Sequence, residues 1–250
     1  MPRQAANKSN SHEHVKKLTP RQQSRRSKIL GVARELLAKR GYDGVTMREL
    51  ARQSRVATKT LYDVYGSKDE LLMVSVKDRV AMVFHAAEAA AGDLTGVARV
   101  LYFVERGMHA TMVTPKLSRA VAPFVAGPED HFGMAEIYER CHGRGLREME
   151  AAGELQPWAD IPTLLSQLAL TVTGVLQLWA RDQIKSKHLV VQSQLAAAQV
   201  LAPTVRGEAL KEVTSTIREI YRGFDVLESG RKSAAARKAR GGIVRQKSQA

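Results

Sequence analysis

The chain has 250 residues, 44% of them hydrophobic and 26% charged, enough for one sizeable core plus a small appended domain. Its single cysteine, Cys141, excludes an intrachain disulfide, and with no apolar run approaching a membrane span a cytoplasmic protein without membrane contact is expected. The formal net charge of +14 sits at the ends: residues 1–28 hold eight Lys/Arg against one Glu, residues 225–250 hold seven against two acids, and the body between is nearly neutral.

Basic ends on a neutral body suit a polyanion, because each Lys or Arg set against a phosphate releases a condensed counterion. Tails that merely aid solubility are the plainer alternative. Residues 1–18 carry almost no large apolar side chains and read as a disordered basic arm. Thr19-Pro20 then starts a helix, with Thr as cap and Pro at the first position. Ile29, Leu30, Ala33, Leu36 and Leu37 recur on one face of it, and Gly41 stops it. Thr46 caps a second helix with Glu49 three residues on, the spacing of a capping box, and Met47, Leu50 and Ala51 form its inner face. A tight turn at Ser54-Arg55-Val56 leads to a third helix ending at Gly66. Ser67 and Glu70 repeat the capping spacing at the head of a long fourth helix reaching about Ala91.

Beyond Thr95 the chain reads as further helices. Thr114-Pro115, Gly127-Pro128, Gly143 to Gly145, Gly153 and Gln156-Pro157 are the predicted breaks or kinks. Asp160 to Arg181 reads as one helix, apolar on nearly all sides although Gln167 and Gln177 interrupt it. Lys185–Pro203 gives little beyond a short helix over Gln192–Leu201. Leu210, Val213, Ile217, Ile220, Tyr221 and Phe224 mark a final amphipathic helix, and the Ala/Arg/Lys/Gly-rich segment 229–250 reads as a second disordered basic tail.

The stretch Thr46 to Lys68 carries the chemistry. Two short helices joined by a tight turn, the second opening on Thr58, Lys59 and Thr60, make an element small and polar enough for the major groove of DNA. Thr hydrogen-bonds a base or touches a thymine methyl, and Lys reaches guanine O6 and N7. Thr46 sits where a hydroxyl and free backbone N–H groups hold a phosphate, or else it is a cap and nothing more. Leu61, Val64 and Ile29 read as core, and Tyr65 as core or junction packing. Asp63 either pairs with Lys59 or Lys68 or accepts from cytosine N4. Arg21, Arg25 and Arg26 stand beside the expected DNA face, so the N-terminal arm is expected to add phosphate or minor-groove contacts.

The segments ILGVARELLAKRGYDGVTMRELA and TKTLYDVYGSKDELL resemble the N-terminal domain of the TetR family of bacterial transcriptional regulators, over about a fifth of the chain. The resemblance implies an all-α protein in two parts: a three-helix helix-turn-helix DNA-binding domain over 19–66, and a helical regulatory and dimerisation domain over 67–228 whose segment 67–91 is the connecting helix. It assigns Tyr62 and Lys68 to phosphates. Two positions depart from the family pattern. Arg55 stands where a small residue, often Gly, is usual, so a left-handed turn there costs energy, though a basic residue there is placed to touch the DNA backbone. Ala57 replaces a Ser cap, a role that Thr58 would take by moving the helix start one residue.

For the C-terminal half the resemblance implies a homodimer and a pocket for an effector of unknown identity. The over-apolar helix independently asks for a partner, giving a candidate interface of Leu164, Leu168, Val172, Val175, Leu176, Leu210, Val213, Ile217, Ile220 and Phe224. Tyr102, Phe103, Met108, His109, Met112, Phe124, Trp158 and Trp179 are candidates for an apolar pocket, with core packing the competing reading for each. No nucleophile elbow, Walker loop or dinucleotide fingerprint occurs, and Cys141 and His142 are adjacent, about 100° apart on a helix and a poor metal pair. No enzyme, metal or cofactor is expected. The expected function is a ligand-responsive dimeric repressor on a palindromic double-stranded operator. The rival is an architectural DNA-binding scaffold with no effector.

Overall fold

The computed structural model of the protein describes residues 19–125 and 134–223. The arm 1–18, the tail 229–250, Gly127-Pro128 and Phe224 lie outside them. All regular elements among the described residues are helices: α1 (Pro20–Arg40), α2 (Met47–Ser54), α3 (Thr58–Tyr65), α4 (Lys68–Ala90), α5 (Gly96–Val113), α6 (Pro115–Val125), α7 (Met134–Ala151), α8 (Ile161–Ala180), α9 (Ser186–Leu201) and α10 (residues 207–223). A single antiparallel bridge, Leu155 to Val205, ties the loops that follow α7 and α9.

Local chemistry accounts for the N-terminal elements. Thr19 and Gln22 form a full capping box at α1, as do Ser67 and Glu70 at α4. At α2 only half the box forms. Thr46 accepts from the Glu49 amide, but the Glu49 carboxylate turns away to Arg52, Gln53 and Arg40. Arg55 takes the left-handed conformation (φ 58°, ψ 48°), the role the family usually gives to a small residue. Ala57 is the cap of α3 and makes no side-chain hydrogen bond, so Thr58 is the first helical residue and does not replace it. The predicted stripe of α1 is buried whole: Ile29, Leu30, Ala33 and Leu36 form one core with Met47, Leu50 and Ala51 of α2, Leu61 and Tyr65 of α3, and Leu71 and Leu72 of α4, while Leu37 packs with Val76 of α4 and Leu117 of α6.

The larger core joins α5, α7, α8, α9 and α10. Gly143 and Gly145 do not break α7, which runs unbroken through both. A Cβ on Gly145 would lie 2.8 Å from the Gly96 carbonyl oxygen and 3.2 Å from Val100, so glycine is there to let α5 come close. Segment 185–203 holds a full helix, α9, whose buried residues Leu189, Ser193, Leu195 and Leu201 interleave with polar ones, hiding its first turns from a hydrophobic reading. Two arginines lock helices together. Arg99, 1% exposed, donates to both Glu88 oxygens at 2.6 and 2.7 Å and joins α5 to the end of α4. Arg119 of α6 donates to the Trp179 and Ala180 carbonyls at the end of α8, with its guanidinium 4.4 Å from the Trp179 ring centre.

The expected interface on α8 needs correction. Leu164, Leu168 and Val172 are buried against the protomer's own core, as is Val213 of α10, and Leu176 faces a cavity, so these five are spent within one chain. The outer stripe of α8 is Ser166, Gln167, Leu170, Gly174 and Leu178, with Leu170 65% exposed. Val175, Ile217 and Ile220 are half-buried, and Leu210 and Tyr221 are exposed. By length and composition α8 is also apolar enough to cross a membrane (20 residues, mean hydropathy 1.4), contrary to the expectation that no segment was.

Candidate nucleic-acid interface and adjoining cavity

With Leu61 and Tyr65 turned inward, the eight-residue helix α3 leaves Lys59, Tyr62, Asp63 and Val64 outside and Thr58 and Thr60 half-buried on its first turn. Val64, expected in the core, is 63% exposed; it falls on the outer face because Leu61 and Tyr65, four apart, already supply the buried one. The unfilled cap at Ala57 leaves the first amides of α3 without a side-chain acceptor. At the head of α2, Thr46 and Arg48 are exposed, and Arg55 projects from the turn between the two helices.

Electrostatics sorts the cations nearby. Glu49 takes both Arg52 donors at 2.9 and 2.7 Å and Gln53 at 2.6 Å, with Arg40 at 3.5 Å. Arg52, then Gln53, hold its carboxyl down at about 2. The charges of Arg40 and Arg52 are therefore occupied, whereas Arg48, Arg55 and Lys59 meet no carboxylate among the described residues. Lys68 sits 4.6 Å over the Tyr42 ring and donates to the Tyr42 carbonyl at 3.4 Å, which brings the first turn of α4 against the segment leading into α2. Burial, and then Asp69, push the Tyr42 hydroxyl up to about 12. Arg26 reaches Asp78 at 3.3 Å, where Arg34 also ends at 3.2 Å, so it braces the α1–α4 junction. Arg25 is exposed on the outer side of α1.

Behind this domain α4, α5, α6, α7 and α8 enclose a cavity of about 140 Å³. Its walls are mostly Val, Leu, Met and Phe, among them Val80, Val83, Phe84, Phe103, Val104, Met108, Leu117 and Leu176. Polar groups enter at Arg79, Thr111, Thr114, Ser118, Tyr138, Thr173 and His142. His142 is 3% exposed with Nδ1 unpartnered, and its ring lies 4.9 Å from that of Tyr138 and 6.1 Å from that of Phe103. Burial above all drives its pKa down to about 4, so it is neutral at pH 7.

The family model described as "Bacterial regulatory proteins, tetR family" matches residues 29–73, the span that builds this interface. Over this span the chain is similar to the DNA-binding domain of the TetR family. The HTH-type transcriptional regulator HbdR of Aromatoleum sp. (strain CIB) is 32% identical over 56 residues, 22% of this chain and 24% of HbdR, so the chain spans about a quarter of the curated relative it matches. The TetR fold extends over the helical body. A TetR transcriptional regulator from Rhodococcus sp. RHA1 superposes with a TM-score of 0.55 at 21% identity, covering 74% of this chain and 98% of that one. FadR of Bacillus subtilis, in complex with stearoyl-CoA, gives 0.57 at 16% identity, covering 70% and 97%. SmeT, repressor of the Stenotrophomonas maltophilia multidrug efflux pump SmeDEF, gives 0.56 at 19%, covering 74% and 92%.

In this helical body the cavity differs from the pocket expected from sequence. Of the expected residues whose side chains are described, Phe103 and Met108 line it. Tyr102 donates to the Ala87 carbonyl, and Met112 packs on the main core. His109 is on the surface beside Glu105, and Trp158 is 67% exposed. Trp179 is fully buried elsewhere, its Nε1 donating to Ser186. The side chain of Phe124 lies outside what the structure describes. The residues missed, chiefly on α4 and α6, had a signal: Val76, Val80, Val83 and Phe84 recur at helical spacing on a helix read only as a connector.

Proposed function

We propose that the protein is a homodimeric, sequence-specific DNA-binding regulator of transcription, a repressor that leaves its operator when a small apolar effector fills the cavity. The observation that carries this reading is the exposed face of α3, where two threonines, Lys59, Tyr62 and Val64 are held outward by a core that spends only Leu61 and Tyr65. On it, Thr58, Lys59, Thr60 and Val64 read base edges, Val64 offering its methyls to thymine. Thr46, Arg48, Arg55, Tyr62 and Lys68 hold phosphates, and Arg25 adds to them. A second protomer, paired through the outer stripes of α8 and α10, places a second α3 about 34 Å away, one helical repeat of DNA. α4 begins at Lys68 and lines the cavity from Val76 to Phe84, so an occupant that shifts α4 changes the spacing of the two reading helices. The protein acts in the cytoplasm and carries out no catalysis.

Selection of bound sequences from random duplex DNA tests the reading. A palindromic consensus with half-sites about one repeat apart is the expected result. Salt-sensitive binding with no sequence preference would replace it with an architectural role.

A further inference from the structure

Two polar groups of the cavity, the Arg79 guanidinium and His142 Nδ1, have no partner among the described residues, and they differ in kind. Arg79, on α4, is half-buried and enters no ion pair or hydrogen bond among the described residues, whereas Arg26, Arg34 and Arg99 each hold a carboxylate. A guanidinium at an apolar wall without a counter-charge is complementary to a carboxylate. His142, on α7, is 3% exposed and keeps Nδ1 unpartnered among the described residues. A neutral imidazole that carries its proton on Nε2 presents Nδ1 as an acceptor, so it asks for an O–H or N–H. Phe84, five residues along α4 from Arg79, has its ring 6.3 Å from that of Phe103, which lies 6.1 Å from the His142 ring, and Tyr138 also lines the cavity. The volume, about 140 Å³, is that of a single-ring molecule.

We infer that the cavity takes a small aromatic monocarboxylic acid bearing a hydroxyl or N–H at the end remote from its carboxylate. The carboxylate pairs with Arg79, the ring packs against Phe84 and Phe103, and the remote donor satisfies His142 Nδ1. This rests on the reading of the cavity as an effector site and narrows its chemistry. A neutral hydrocarbon leaves both polar groups unpaired, and a long acyl chain exceeds the volume.

The test is calorimetric titration of the full-length protein with 3-(4-hydroxyphenyl)propionate, 3-phenylpropionate and the alcohol 3-(4-hydroxyphenyl)propan-1-ol. The hydroxylated acid is expected to bind about 10- to 100-fold more tightly than the alcohol, the span of a hydrogen-bonded charge pair. Arg79→Gln should erase that difference. Loss of the phenol hydroxyl should cost about three- to tenfold, a neutral hydrogen bond. Because a His142 variant risks misfolding, the second contact is read in the wild type, where the Nδ1 resonance of ¹⁵N-histidine-labelled His142 should move with the hydroxylated acid and stay with 3-phenylpropionate. Equal binding of acid and alcohol, no binding of either acid, binding unaltered by Arg79→Gln, or an unmoved Nδ1 overturns the inference. Release of operator DNA is scored separately. Tight acid binding without release leaves the ligand class standing and counts against the effector reading.

Discussion

Arg55 shows how one residue serves two ends at a cost. Its backbone is left-handed, a conformation that costs a residue with a Cβ about 1–2 kcal/mol. Arg55→Gly is expected to stabilise the domain by about 1 kcal/mol in urea unfolding, less the entropy glycine adds to the unfolded chain. The same change should reduce operator affinity and lower the salt slope by about one ion. An unchanged slope would remove Arg55 from the phosphate contacts. Lys59 and Lys68 separate in the same way. Lys59→Ala should relax base preference at one operator position by about 1–3 kcal/mol, whereas Lys68→Ala should weaken all sequences alike, measured on the selected site and its single-base variants. Identical effects from the two would dismantle the division between reading and clamping.

The elements show where sequence carries structure and where it does not. Caps are local, so Thr19, Thr46 and Ser67 could be read directly, and the α1 stripe matched the buried set residue for residue. Gly143 and Gly145 could not. A glycine that breaks a helix and one that admits a neighbouring backbone look alike until the neighbour is known. Gly145→Ala should therefore cost about 1–3 kcal/mol by forcing α5 from α7, measured by urea unfolding. Gly174→Ala, with open space around its Cβ position in the protomer, should not cost stability there. α8 was legible as a helix but not in its orientation, since a helix apolar all round carries no periodicity to tell core from partner face. The cavity was hidden for another reason: its walls come from five helices brought together only by the fold, and His142 drew notice only as a poor metal pair.

At the scale of the molecule, the two halves respond differently to acid. His142 is held neutral, with its pKa depressed from the usual 6.5 to about 4. Between those values the unfolded chain binds the proton that the folded one refuses, so its stabilising contribution is full above about 6.5 and falls away as pH drops through 4. Glu49 in the DNA-binding domain, depressed to about 2, loses its contribution only from about 4.5 downward. Both tryptophans lie in the helical body. Their fluorescence should report an unfolding midpoint that falls between pH 6.5 and 4.5; a flat profile would show that His142 gains its proton without resistance. Assembly is tested on the outer stripe: Leu170→Asp should yield monomers at micromolar concentration in analytical ultracentrifugation and lose operator binding, while leaving the far-UV circular dichroism intact.

The exposed stripe of α8 bears on inheritance as well as on assembly. On the proposed pairing, subunits meet through α8 and α10, far along the chain from the reading helix, so a copy whose α3 is blunted would still seek its sibling. Expressed beside the intact gene product, such a copy would tie up good subunits in half-sighted pairs. Damage to α3 would thus behave as a dominant trait, and damage to the stripe as a recessive one.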